Sequence, residues 1–138
     1  MNSDMVLVDT SGWICFFARL GFSEIKKSIG SLLDENRVAI AGPVVVELIQ
    51  GCRDETEKIN IERSLQGLVW LSVLDRHWHL SAQLAFALQR MGVTVSAIDT
   101  LIATITMDYG CQLLHQDKDY DSIAKQFTEL KLYNLQQT

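Results

Sequence analysis

The sequence predicts an α/β domain, with a central, mostly parallel sheet of four to five strands flanked by helices. Three observations predict it. Short runs of β-branched and apolar residues recur along the chain. Longer segments with apolar residues at helical spacing lie between them. The two kinds alternate, and strands alternating with helices build parallel βαβ units.

The elements follow in order. "MVLVD" (5–9) reads as the first strand. "SGWICFFARL" comes next, and "SEIKKSIGSLLDEN" then reads as a helix with Ser23 at its N-cap. "RVAIA" (37–41) reads as the second strand. Gly42-Pro43 breaks the chain, and Pro43 suits the first turn of a helix over "VVVELIQGC". Residues 54–66 are charged with helical spacing and read as a solvated face. "VWLSVL" (69–74) is the third strand. Leu80, Leu84, Leu88 and Met91 mark an amphipathic helix that Gly92 ends. Ile98, Leu101, Ile102 and Ile105 give another helical stripe. "CQLLH" (111–115) is the fourth strand, "YDSIAKQF" a short helix and "KLYNL" (131–135) the last strand. No repeat, linker or low-complexity tract interrupts this pattern, so one domain over 1–138 is expected.

Composition narrows the function. The chain of 138 residues is 48% hydrophobic and 21% charged with one proline, which describes a packed core rather than disorder. A net charge of -5 argues against coating nucleic acid by bulk charge. Recognition of nucleic acid would then need a metal cation or a local basic strip. Cys15, Cys52 and Cys111 are odd in number, lack a CxxC pair and sit among apolar neighbours, so buried reduced thiols are expected. The start "MNSDMVLVD" has no basic segment before a long apolar core. No uncharged stretch reaches the roughly 18 residues of a membrane span. A cytoplasmic location is the expectation.

In a parallel sheet, functional groups gather beyond the carboxyl ends of the strands. The polar residues expected there are Asp9, Glu47, Asp99, Asp117 and Asp119, and all are acids. Each has an ordinary explanation when taken alone. Asp9 suits an N-cap. Ser96 and Asp99 fit a capping box. Asp117 and Asp119 suit turns. Glu47 is the exception, because it lies within apolar "PVVVELI" and a partly buried glutamate needs a partner or a metal. Together the acids lack equally placed lysines or arginines, with Lys118 alone among them. Clustered carboxylates without cations are costly to keep ionised. A hard divalent cation relieves that cost, and oxygen ligands suit Mg²⁺ or Mn²⁺. Zinc fits less well, because His77, His79, His115 and the cysteines show no ligand spacing. His77 and His79 are expected to be surface or half-buried helix residues. "DKDYD" also lacks the glycine and closing glutamate of an EF-hand.

Four motifs now stand in order: "VLVDTSGWI", "PVVVELIQG", "SAIDTLIAT" and "LLHQDKDYDSIA". In these the chain resembles PIN-domain ribonucleases of the VapC type, the toxins of toxin–antitoxin pairs. The resemblance implies a PIN-like three-layer sandwich and an Mg²⁺-dependent endoribonuclease that uses metal-activated water and leaves a 5′-phosphate and a 3′-hydroxyl. It implies four catalytic acids, Asp9, Glu47, Asp99 and Asp117, with Asp9, Asp99 and Asp117 on the metal. Asp119 and Ser11 become accessory residues. His115 departs from the threonine or serine more usual before the fourth acid. The resemblance further implies a homodimer, a VapB-type antitoxin covering the active groove and, by analogy, transfer RNA or a ribosomal RNA loop as substrate. Arg19, Lys26, Lys27, Arg53 and Lys118 are candidates to grip flanking phosphates.

Rival readings are weaker. A haloacid-dehalogenase-type phosphatase wants D-x-D after the first strand, but Ser11 holds the second position. A phosphorylation receiver needs paired acids near the start, which are missing. A non-catalytic metal-binding module would not need all four acids intact.

Overall fold

A computed structural model describes residues 4–135, and among them lie five strands and seven helices. Residues 1–3, the first part of "MNSDMVLVD", and 136–138, the end of the expected 1–138 span, lie outside the described residues. The central strand β1 (Val6–Val8) is wholly buried. Successive strand side chains point to opposite faces, so three buried residues in a row mean both faces are covered. That explains why the strand reads as a continuous apolar run rather than an alternating one.

β2 (Val38–Ala41) and β3 (Val69–Leu71) extend the sheet on one side of β1, and β4 (Gln112–Leu114) and β5 (Lys131–Leu132) on the other. The order is β3-β2-β1-β4-β5, and every pairing is parallel. The chain therefore steps outward from β1 to β3, then returns to lay β4 beside β1. This reversal between β1 and β4 is a topological switch point, where open parallel sheets leave a crevice at their carboxyl edge.

Helix α1 (Thr10–Phe17) starts directly over that crevice. A Cβ at Gly12 would meet Val8 Cγ1 at 2.9 Å and Leu114 Cδ2 at 3.0 Å, so the helix lies against both strand ends. Only glycine permits that approach without shifting its neighbours. α1 packs on α2 (Ser23–Asp34) and on α3 (Gly42–Gln50), which in turn meets α4 (Glu55–Ser64). A second group joins α5 (Asp75–Arg90), α6 (Ala97–Tyr109) and α7 (Lys118–Gln126). Most of α6 is buried from Thr100 to Thr106. Its three interior hydroxyls, on Thr100, Thr104 and Thr106, donate to the carbonyls one turn earlier, which satisfies polar groups that no solvent reaches.

Four local expectations are corrected. Ser23 is not the N-cap of α2. Phe22 holds that position with a left-handed backbone (φ 58), so Ser23 is already inside the helix, where it cannot cap. The buried stripe of α5 is His77, Ser81, Leu84 and Leu88, whereas Leu80 and Met91 are exposed. The helix is rotated toward its neighbour α6, which offers polar partners for His77. His77 itself is wholly buried rather than superficial. The third strand also stops at Leu71, three residues early. His77 Nδ1 accepts from the Leu74 N–H (2.8 Å) and turns the chain into α5. Gly92 does end α5, at φ +80.

Cys15 and Cys111 are buried and Cys52 is half-buried, all as free thiols. No helix among the described residues is long and apolar enough to cross a membrane.

Candidate metal centre

The carboxyl end of β1 delivers Asp9, which is buried and caps α1. Its Oδ2 accepts from the Ser11 backbone N–H (3.0 Å) and the Ser11 hydroxyl (2.7 Å). The same hydroxyl accepts from the Gln116 N–H (2.9 Å), so Ser11 staples the end of β1 to the loop after β4. Asp99 arrives in the first turn of α6, where its N–H donates to Ser96 Oγ (3.1 Å). That is the backbone half of the expected capping box. The carboxylate also accepts from the Tyr120 hydroxyl.

Tyr120 is fully buried, and its hydroxyl lies 2.8 Å from Asp9 Oδ1 and 3.1 Å from Asp99 Oδ1. One phenol thus joins acids from two distant parts of the chain. Asp117 caps α7 and accepts from the Asp119 N–H (2.9 Å). One carboxylate oxygen from each of Asp99, Asp117 and Asp119 lies within 4.8 Å of the others, and all three residues are half-buried. Glu47, half-buried on α3, enters through Thr10, whose hydroxyl donates to its Oε1 (2.6 Å).

The structure therefore links Asp9, Asp99 and Tyr120 by hydrogen bonds and groups Asp99, Asp117 and Asp119 at ligand spacing. Glu47 is tied to the neighbour of Asp9 rather than to the trio. Sequence reasoning missed Tyr120. Its one signal was an aromatic residue set between Asp119 and Asp121.

The electrostatics are those of a site lacking positive charge. Among the described residues, none of Asp9, Glu47, Asp99, Asp117 and Asp119 forms an ion pair with lysine or arginine. The Asp99 carboxyl is pushed up to about 6 by burial, which outweighs the Tyr120 hydrogen bond, with the charges of Asp9 and Asp117 adding to the rise. Burial and the same carboxylates push the Tyr120 hydroxyl far above its ordinary range, so it stays protonated and donates. Asp9, Asp99, Asp117 and Asp119 all stand at helix N-termini, whose partial positive charge favours anions but does not supply a full counter-charge. An all-oxygen donor set without internal cations fits a hard divalent ion such as Mg²⁺ or Mn²⁺.

The histidines play other parts. His77 Nε2 bonds Asp108 (2.7 Å), and His79 is exposed. His115 Nδ1 accepts from the Asp117 N–H (2.9 Å), and its ring packs on Tyr120. The departure at position 115 thus still provides an acceptor for the loop that carries Asp117. Of the basic candidates, Arg19 and Arg53 line a cleft of about 390 Å³ that also holds Glu47. Arg53 additionally pairs with Glu57 (3.2 Å). Lys118 lines a second cleft of about 620 Å³ with Asp117 and His115. Lys26 and Lys27 lie on α2, outside both clefts.

Residues 6–126 match the pattern of the PIN domain. The chain belongs to the PIN-domain family. Among characterised relatives of this PIN domain, VapC ribonuclease Mb1587 of Mycobacterium bovis is 34% identical over 125 residues, covering 88% of this chain and 92% of that protein. Among solved structures, VapBC2 from Rickettsia felis, bound to a DNA fragment from its promoter, superposes with a TM-score of 0.77 at 18% identity, over 94% of this chain and 98% of that one. VapBC-5 from Mycobacterium tuberculosis, a member of the VapBC family of toxin-antitoxin systems, gives 0.69 at 20% identity, over 95% and 98%. These likenesses show that the PIN domain has the VapC-type fold, with its five-stranded parallel sheet and seven helices.

Proposed function

We propose that this chain, as a single PIN domain over residues 1–138, is a divalent-metal-dependent endoribonuclease and the toxin of a VapBC-type toxin–antitoxin pair, acting in the cytoplasm. The observation that carries the reading is the trio Asp99, Asp117 and Asp119, whose carboxylate oxygens lie within 4.8 Å of one another with no lysine or arginine paired to them among the described residues. The name of the 34%-identical relative, a VapC ribonuclease, supports the same activity.

Asp9, Asp99 and Asp117 are the proposed holders of Mg²⁺ or Mn²⁺, and Asp119 joins them. A bound ion of this kind supplies Lewis acidity toward water and positive charge against the scissile phosphate. The chain's own residues set the geometry. Ser11 fixes the Asp9 carboxylate by two bonds. Thr10 steadies Glu47, which completes the set of catalytic acids. Arg19 and Arg53 beside Glu47, and Lys118 beside Asp117, are placed to hold phosphates flanking the cut. A VapB-type antitoxin is a proposed partner, supported by the VapBC toxin-antitoxin structures that share the fold, and a homodimer is proposed beside it.

Induction of the chain alone is expected to arrest growth, and co-expression of the cognate partner to relieve it. In vitro, RNA cleavage is expected to need Mg²⁺ and to stop with chelator. Asp99→Asn should reduce cleavage to background with an unchanged circular dichroism spectrum. Wild-type cleavage by that variant would remove Asp99 from the site.

A further inference from the structure

Tyr120 needs an explanation that packing does not give. Its ring is fully buried and stacks at a tilt on His115, 5.1 Å between centroids. Phenylalanine would fill that space equally well. The hydroxyl is the additional feature, and a buried phenol must find a partner. Many buried tyrosines bond a backbone carbonyl. This one bonds two carboxylates, from the end of β1 and from α6, while standing on α7.

A phenol carries one proton. Two acceptors at 2.8 and 3.1 Å must share it, so the bond is three-centred and neither acid can drift without weakening it. Asp9 is then restrained at both oxygens, by Ser11 on Oδ2 and by Tyr120 on Oδ1. At Asp99, Tyr120 takes Oδ1, one oxygen of a carboxylate that also belongs to the Asp99, Asp117 and Asp119 trio. Without the hydroxyl, two like charges with no cation between them would separate, and an arriving ion would have to gather them again.

We infer that Tyr120 is a positioning residue that ties Asp9 to Asp99 and sets the carboxylate spacing into which a divalent cation fits. The inference rests on the nuclease reading of the same cluster. It acts through the acids, not on substrate.

The test is Tyr120→Phe, which keeps the ring and removes only the hydroxyl. Mn²⁺ binding to chelator-stripped protein is measured by calorimetry, beside RNA cleavage across a range of Mg²⁺. Loss of a partner that orients a metal ligand typically weakens affinity by about 10-fold or more. The expected result is an Mn²⁺ dissociation constant raised about tenfold, a similar rise in half-saturating Mg²⁺, and a turnover at saturating metal within about twofold of wild type. In an Asp99→Ala background, which leaves no acceptor at position 99, the same substitution should barely change Mn²⁺ binding, because the link is already cut. Unchanged affinity in Tyr120→Phe, tighter binding, or a loss confined to turnover would each overturn the inference. Wild-type protein that binds no Mn²⁺ and cuts no RNA would overturn the nuclease reading, and this inference with it. Wild type that does both, beside an indistinguishable Tyr120→Phe, would sink the inference alone. A measurement that needs no variant at 120 guards against misfolding: tyrosine difference absorbance of the wild type should saturate together with Mg²⁺, and a flat titration would also overturn the inference.

Discussion

Asp99 and Asp108 stand on the same helix, yet burial is answered at one and not at the other. At Asp99 the carboxyl is pushed up to about 6, by burial first, with Asp9 and Asp117 adding to the rise. At Asp108 burial also pushes upward, but hydrogen bonds from His77 and Arg76 and the charge of Arg76 hold the carboxyl below its ordinary range. The helix dipole cannot be the cause, since it favours a carboxylate at the amino end, where Asp99 is, and opposes one near the carboxyl end, where Asp108 is. Partners decide. Asp108 has Arg76 at 2.9 Å and His77 at 2.7 Å. His77 accepts from Leu74 N–H at Nδ1, so its proton lies on Nε2 and is donated to Asp108. One cluster carries its counter-charge within the chain and reads as structure. The other lacks it and reads as a place for an ion from outside.

The contrast can be broken first at its structural half. Asp108→Ala strands His77 and Arg76 and should cost about 2 kcal/mol, the usual worth of hydrogen bonds to a charged group. Arg76 is half-exposed, which keeps the loss from being larger. Urea denaturation should show an earlier midpoint, while RNA cleavage per folded molecule stays at the wild-type level. A midpoint equal to wild type would remove the distinction between the clusters.

The acid cluster should respond with the opposite sign and a smaller size. Asp99→Asn relieves repulsion in chelator-stripped protein, so its melting temperature should rise, by under about 1 kcal/mol of stability. Added Mg²⁺ should raise the wild-type melting temperature, because a ligand bound to the native state stabilises it, and should leave Asp99→Asn nearly unmoved. Equal Mg²⁺ shifts in both proteins would place the ion elsewhere.

The subtlest test is in pH. Asp99 has a folded pKa of about 6 against an ordinary 3.8, so the metal-free native state holds this proton more tightly than the unfolded chain. Its contribution to stability is full below about pH 3.8 and fades as pH rises through about 6. The Asp108 carboxyl is shifted the other way, so its contribution is present above its ordinary value of 3.8 and fades as pH falls. Melting curves for wild type, Asp99→Asn and Asp108→Ala should therefore diverge in opposite directions across this window. Parallel curves would contradict the assignment of partners.

Much of the fold was legible because parallel strands and amphipathic helices leave local periodicities. All five strands and the long helices fall where the pattern put them, with ends trimmed by a few residues. The failures were tertiary. Ser23 looked like a cap because serine often is one, but Phe22 took a left-handed turn before it. His77 looked superficial because it sits in "DRHWHL", but Asp108 draws it inward from the distant helix α6. At the site, Asp9, Glu47, Asp99 and Asp117 could be nominated from their places after strands and at helix starts. Asp119 was read as accessory, yet its carboxylate stands at ligand spacing with Asp99 and Asp117.

By itself, then, the sequence determined which residues are apolar at which period, and hence the alternating strands and helices and the edge at which acids would collect. It could not determine that Tyr120 would reach both Asp9 and Asp99, because no local spacing relates those three positions. That meeting depends on the sheet order, with β4 laid beside β1 and α7 packed against α6. Long-range neighbours are set by how the layers pack, and only packing brings one hydroxyl between two carboxylates.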